Sequence, residues 1–312
     1  NYTWNDNINK AVIKRIKEIN PSITVIMGGA HCNWSAPNWK ELHPDVDLVC
    51  HPQGHGELFV KGYLDNDPVI PYSNVGGSLE LHSFEYTNRS IYDYNKEYCS
   101  KVLATNKCKD IVYETSRGCP YKCTYCEWAG GVGTKIRRKS LDLIKQDATV
   151  LSELGFKLVS IVDANFGIFI DDIDIIDILN NNGIGILYVY GIVKSKASKK
   201  KVLLEKLFDN PINDKNYNVS LNSISSKILK AIKRTDIDYK ENIELAYYLI
   251  DKYGVDARIE LIMGLPEYTL EEFYNEFNLI VDVYKRYGKV IWDRPPLSLL
   301  PDSELGNYFT RD

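Results

Sequence analysis

No run of about 18 apolar residues occurs in this 312-residue chain, so none of its segments has the length of a membrane-spanning helix. No secretory signal opens it. No long basic stretch stands out, and 38 Lys and Arg against 42 Asp and Glu leave a net charge of -4. That balance carries no nucleic-acid footprint. Cysteine is scarce, odd in number (seven) and unevenly spaced, which is not the pattern of a disulfide framework. There is no internal repeat beyond an alternation of strands and helices. The chain opens on Asn1, inside an ordered element, and stops at Asp312 without a closing signal, so it reads as part of a longer protein.

What is present is an ordinary globular composition. Hydrophobic residues make up 44% and charged residues 26%, enough for two domains or one large barrel. The longest basic run, Lys135–Lys139, is expected to be a solvated face, with contact to an anionic cofactor as the alternative.

The most informative segment is Arg117-Gly118-Cys119-Pro120-Tyr121-Lys122-Cys123-Thr124-Tyr125-Cys126. Its spacing is C-x3-C-x2-C. Three thiolates on one short loop can hold three irons of a 4Fe–4S cluster and leave the fourth open, as a reaction centre needs, whereas electron carriers close the cluster with four cysteines. A structural zinc site needs four ligands. Here Cys123/Cys126 is the only C-x2-C pair, and the nearest His before the loop is His82. Cys108 is the candidate for a fourth ligand, eleven residues upstream of Cys119. A Cys123–Cys126 redox dithiol leaves Cys119 unexplained. Cys32, Cys50, Cys99 and Cys108 are read as buried or free thiols.

Periodicity sets the architecture. Apolar residues from Ile8 to Ile19 have helical spacing, and Ile23–Met27 is a β-branched strand ended by Gly28-Gly29. A short strand at Val46–Cys50, the turn Gly54-His55-Gly56-Glu57 and a helix at 57–65 follow. This is half of a Rossmann-like α/β unit. Residues 66–108 read as a linker with some structure. From 109 a regular alternation begins. Strands are expected at Ile111–Thr115, Leu158–Asp163, Gly185–Val193, Tyr217–Leu221, Ala257–Met263 and Lys289–Asp293. Helices are expected at 140–154, 171–181, 198–208, 225–232 with 238–253, and 269–287. Six β/α units imply a parallel sheet, open or partly closed as a barrel, with chemistry at the C-terminal strand ends. The cysteine loop follows the first of those strands.

The loop resembles the radical S-adenosylmethionine (radical SAM) enzymes, whose C-x3-C-x-aromatic-C motif is matched by Cys119, Cys123, Tyr125 and Cys126. The resemblance extends over about 109–300. Val162-Asp163-Ala164-Asn165-Phe166-Gly167 matches the second-strand end that meets the methionine amino group, although Asp163 and Asn165 also suit a helix cap. Ser220-Leu221-Asn222-Ser223 resembles the fourth-strand S-x-Q-S segment facing the ribose, with Asn222 in place of Gln, and Arg234 follows in the usual position. Glu260-Leu261-Ile262-Met263-Gly264-Leu265-Pro266 resembles the fifth-strand segment flanking adenine, and Leu300-Pro301-Asp302-Ser303 the sixth-strand ending. The resemblance also places Tyr125 near adenine. The N-terminal part resembles the second half of a cobalamin-binding domain through Gly28, Gly29, Gly54, Gly56 and Glu57. The D-x-H-x-x-G motif of such domains has no counterpart in this sequence.

The resemblance implies an α/β chain. Residues 1–68 form the C-terminal half of a cobalamin-binding Rossmann-like domain, 69–108 a linker, and 109–312 a partial (β/α)6 TIM-like barrel. It implies a 4Fe–4S cluster on Cys119, Cys123 and Cys126, with S-adenosylmethionine contacting Tyr125, Asp163, Asn165, Ser220, Asn222, Glu260 and Gly264. The activity implied is reductive cleavage of S-adenosylmethionine to a 5′-deoxyadenosyl radical, with cobalamin-dependent methyl transfer to an unactivated carbon. A radical rearrangement or ring contraction is the alternative, and an iron–sulfur electron-transfer module the reading of another class. A small-molecule or peptide substrate and an external donor such as flavodoxin or ferredoxin are the expected partners, with neither nucleic acid nor membrane. The expected setting is a reducing cytoplasm. His31 and His55 are read as loop histidines, Trp128 as packing, and the aromatic stretch Phe84–Tyr98 as linker packing or a substrate entrance.

Overall fold

Strands buried on both faces need largely apolar sequence, and Leu158–Ile161 supplies it: Val159 and Ile161 are fully buried beneath helices, and the buried Ser160 between them donates its hydroxyl to Asp110. The computed structural model of the chain describes residues 6–28, 43–49, 63–64, 90, 92, 96–105, 110–128, 136–193, 197–234, 237–300 and 303–309. Gly29, His31, Cys32, Cys50, Gly54, His55, Gly56, Glu57, Cys108, most of the expected helix at 57–65 and most of Phe84–Tyr98 lie outside those residues. The chain divides into two compact units. One joins Asn1–His82, Gly118–Ile136 and Ser298–Asp312; the other joins Ser83–Arg117 and Arg137–Leu297.

In the first unit, helix α1 (Asp6–Ile19) precedes a parallel pair, β1 (Ile26–Met27) and β2 (Leu48–Val49), in register Ile26 to Leu48 and Met27 to Val49. The β1 ladder starts later than the apolar run Ile23–Met27 suggests. The Val25 N–H is taken up instead by the Asp47 carboxylate (2.7 Å), which also accepts from Lys17 Nζ (2.6 Å). Gly28, half-buried, ends β1.

The second unit begins with α2 (Lys96–Ala104), then β3 (Ile111–Tyr113), β4 (Ser116–Arg117) and β5 (Arg137–Arg138). It continues α3 (Leu141–Leu154), β6 (Leu158–Ile161), α4 (Asp172–Asn181), β7 (Gly185–Val189), α5 (Ala197–Asp209) and β8 (Asn216–Asn222). Then come α6 (Ser226–Ala231), α7 (Tyr239–Tyr253), β9 (Asp256–Leu261), α8 (Leu270–Tyr287) and β10 (Ile291–Asp293). Six of these strands are parallel in two triplets, β3-β6-β7 and β10-β9-β8. The short β4 and β5 pair antiparallel. The expected β/α alternation is therefore the fold, and the chain is an α/β protein with a partial parallel barrel.

Caps written into the sequence set the helix limits. Ser140 Oγ accepts from Leu143 N–H (3.2 Å) to open α3, and Asp238 does the same for Lys240 and Glu241 at α7. The core lies between sheet and helices, with Ile144, Leu151, Ile175, Leu179, Leu204 and Leu249 fully buried. Each such side chain contributes roughly 1.5–3 kcal/mol by burial. Along β8 the pattern alternates: Tyr217, Val219 and Leu221 face the helices, while Asn218 and Ser220 stand half-buried on the opposite face. On β9, Ile259 is buried and its neighbour Glu260 half-buried. The polar inner face is thus a consequence of strand periodicity.

α2 lies within the stretch read as linker. Cys99 gives it a buried side packed into the core of the second unit. Within the basic run, whose Lys135 lies outside the described residues, Arg138 and Lys139 are tied into the fold rather than solvated. Arg138 bonds Asp171 (2.6 Å) and lies over the Phe169 ring, and Lys139 bonds the buried Asp147 (2.8 Å). Among the described residues no helix is long and apolar enough to cross a membrane.

Candidate active site

The cysteine loop belongs to the first unit. Cys119 and Cys123 are buried and Cys126 half-buried, and none of them is in a disulfide. The Cys126 N–H donates to Cys123 O (3.1 Å), closing a turn over Thr124 and Tyr125. A second constraint comes from the chain's end. Helix α9 (Glu304–Phe309) starts at Ser303, whose Oγ accepts from Gly306 N–H (2.9 Å) and donates to Leu300 O (2.8 Å). The Leu305 N–H, left over at that first turn, donates to Thr124 O (2.8 Å). The segment Leu300–Ser303, singled out in the sequence, thus leads into the helix that pins the loop between its second and third cysteines.

Among the described residues no three His, Cys, Asp or Glu side chains converge as ligands of one metal ion. A structural zinc, about 2.3 Å from each thiolate, requires such convergence. A 4Fe–4S cluster does not, because each cysteine binds a different iron. The three thiols, two of them buried, on one pinned loop fit a cluster. A further observation agrees: the Thr124 hydroxyl oxygen is buried and has no hydrogen-bond partner among the described residues.

In the second unit, Asp163 follows β6 and is 2% exposed. Its carboxylate accepts from the Thr115 N–H (2.7 Å), the Thr115 hydroxyl and the Ser116 hydroxyl (2.7 Å). These donors are the residues just before the cysteine loop in sequence. Asp163 thereby holds the turn between β3 and β4. Burial pushes its carboxyl up to about 6, against the opposing pull of the Thr115 and Ser116 hydrogen bonds. Protons then bind the folded state more tightly than the unfolded one, whose carboxyl titrates near 3.9. This group contributes no penalty at low pH, and stability falls as pH rises from about 4 to 6, by roughly 2–3 kcal/mol. Chemical denaturation across pH should show this step in the native chain and not in Asp163→Asn; parallel profiles would contradict the assignment. Asn165 is also buried, two residues on.

Ser220 and Glu260 are register partners on β8 and β9, and the Ser220 hydroxyl donates to the Glu260 carboxylate. A bulge follows, and Asn222 takes φ of 62°, a conformation asparagine tolerates better than most residues. Its side-chain oxygen accepts from the fully buried Arg234 (2.5 Å). Asn222 in place of Gln is therefore matched to the left-handed backbone here and to Arg234. Gly264 is exposed with φ of 81° and open space at its missing Cβ. Tyr125 is half-buried and Trp128 is 39% exposed.

Sequence reasoning missed several residues. Ser223 donates to Glu276 (2.8 Å), which also accepts from Tyr268 (2.6 Å) and Arg294 (2.8 Å). Burial pushes Glu276 up to about 7, while the Ser223 hydrogen bond opposes this. Ser225 donates to Glu272 (2.8 Å), so two glutamates of α8 clamp the turn after β8. The signal was available: Glu276 interrupts the apolar spacing of α8. Gly191 is another. A Cβ there would lie 2.5 Å from Asp163 O and 2.6 Å from Ala164 O. A lone Gly inside the Gly185–Val193 apolar run is the usual mark of such close backbone approach.

The model of the radical SAM superfamily matches residues 113–280, more than half of the chain. The chain belongs to the radical SAM superfamily. It is 24% identical over 322 residues to the cobalamin-dependent radical SAM methyltransferase TokK of Streptomyces tokunonensis, covering 97% of this chain and 47% of the relative. It is also 24% identical over 297 residues to the 2-(S-pantetheinyl)-carbapenam-3-carboxylate methyltransferase of Streptantibioticus cattleyicolor, covering 85% and 41%. This radical SAM chain therefore spans less than half the length of both curated relatives. A solved structure of the radical S-adenosylmethionine methyltransferase TsrM from Kitasatospora setae, with cobalamin and a 4Fe–4S cluster bound, has the same fold. The TM-score is 0.65 at 17% identity, covering 96% of this chain and 61% of that one.

Proposed function

We propose that this chain is the cofactor-handling part of a cobalamin-dependent radical SAM methyltransferase that acts on an unactivated carbon of a small molecule or peptide. The observation that carries the reading is the trio Cys119, Cys123 and Cys126 on a loop pinned at Thr124. When bound, the cluster supplies reductive cleavage of S-adenosylmethionine, and cobalamin supplies the methyl group. The chain's own residues bind, orient and exclude water. The three cysteines hold three irons. Asp163 fixes the strand that leads into the loop. Asn165 serves the methionine end of S-adenosylmethionine, Ser220, Asn222 and Glu260 its ribose, and Tyr125 and Gly264 its adenine. Gly28, with Gly29, Gly54, Gly56 and Glu57 outside the described residues, serves cobalamin. An external flavodoxin- or ferredoxin-type donor supplies electrons.

Support for cobalamin and methyl transfer comes from the relatives: TokK carries both in its name, and the TsrM structure was solved with cobalamin bound. The test is an anaerobic incubation of the chain with S-adenosylmethionine, cobalamin and a strong reductant. Retention of cobalamin through gel filtration, with S-adenosylhomocysteine formed alongside 5′-deoxyadenosine, is the expected result. 5′-Deoxyadenosine alone would move the reading to a radical rearrangement or ring contraction. Neither product would overturn it.

A further inference from the structure

Thr124 sits between Cys123 and Tyr125 and is 3% exposed. Its hydroxyl oxygen is buried with no hydrogen-bond partner among the described residues. Folded proteins leave few buried polar groups unsatisfied, and each exception calls for an explanation. With the residue 3% exposed and its hydroxyl oxygen buried, bulk water does not reach this one. Its backbone is held on both sides, by Leu305 N–H on Thr124 O (2.8 Å) and by Cys126 N–H on Cys123 O (3.1 Å). A threonine with a purely packing role would be better served by valine, which has the same shape and no hydroxyl. The hydroxyl carries one donor hydrogen, and the acceptor-rich group that this loop is built to hold is an anionic array of iron, sulfide and thiolate.

We infer that the Thr124 hydroxyl donates a hydrogen bond to a sulfur of the cluster held by Cys119, Cys123 and Cys126, and is a positioning residue that raises the cluster's reduction potential. The inference rests on the cluster reading above. Its direction follows from charge: reduction adds an electron to the cluster, so a donor to sulfur stabilises the reduced form more than the oxidised one.

The experiment is a redox titration of the anaerobically reconstituted chain, followed by electron paramagnetic resonance, for wild type, Thr124→Val and Thr124→Ser. Iron analysis comes first. A wild-type chain that takes up no cluster contradicts the cluster reading itself. If wild type loads, Thr124→Val is expected to load equally but to be harder to reduce, by about tenfold in the reduction equilibrium, or 59 mV for one electron. Thr124→Ser should restore most of the shift. A Thr124→Val potential equal to wild type, with equal loading, overturns the inference. Apo-protein stability gives an independent reading if the valine variant loads poorly. Removing an unsatisfied hydroxyl should leave the apo chain at least as resistant to urea as wild type. A clear loss of resistance would show that the hydroxyl serves the protein interior instead, and would also overturn the inference.

Discussion

Cys123→Ala is expected to abolish iron binding while leaving the fold intact. Cys123 is 6% exposed, so the substitution removes one sulfur from the interior and little packing. After anaerobic reconstitution, iron should fall from about four atoms per chain to background. The thiolate-to-iron absorption should disappear with it, and circular dichroism should be unchanged. The strength of this expectation lies in the count. With three cysteine ligands, loss of one leaves two. Cys99→Ala is the control. Cys99 is also buried, but it lies on α2 within the hydrophobic core of the second unit. That variant should lose about 1 kcal/mol of stability to a small cavity and keep its iron. Equal iron in Cys123→Ala and wild type would remove the cluster from this loop.

Gly191→Ala should cost about 3 kcal/mol, at the upper end of overpacking, because the new methyl meets backbone rather than a side chain that can turn away. The ideal Cβ position is 2.5 Å from Asp163 O and 2.6 Å from Ala164 O. The Phe166 N–H also donates to Gly191 O (2.7 Å), so the two segments cannot part without losing that bond. The chain carrying Asp163 must shift, and with it the carboxylate that holds Thr115 and Ser116. Weaker binding of S-adenosylmethionine should accompany the lost stability. Gly155→Ala provides the contrast. Gly155 has open space around its missing Cβ but φ of 94°. Its cost is conformational alone, about 1–2 kcal/mol, with no effect on cofactor binding. Urea unfolding of both variants tests the pair, and a smaller loss for Gly191→Ala than for Gly155→Ala would contradict the close-approach argument.

These examples mark the boundary between what the sequence discloses and what it hides. The β/α alternation was legible because β6 and β7 are written as short, mostly apolar runs, because β8 alternates apolar and polar residues, and because Ser140 and Asp238 announce their helices locally. The cysteine loop was legible as chemistry, since its spacing states ligand number directly. The role of Asp163 was not, because its partners lie 48 and 47 residues away and their meeting depends on the register of β3 and β6. The late start of β1 was hidden for a similar reason: an aspartate 22 residues on captures the Val25 N–H. Gly191 and Glu276 fall between these cases. Each breaks a local pattern visibly, but only the folded chain shows what the break accommodates.

The most direct test of the central claim is electron paramagnetic resonance of the reduced, anaerobically reconstituted chain with and without S-adenosylmethionine. An open iron coordinated by the added S-adenosylmethionine predicts a cluster signal that shifts on addition. A cluster signal that is identical with and without it would mean that a fourth protein ligand closes the cluster, and would return the chain to an electron-carrier role.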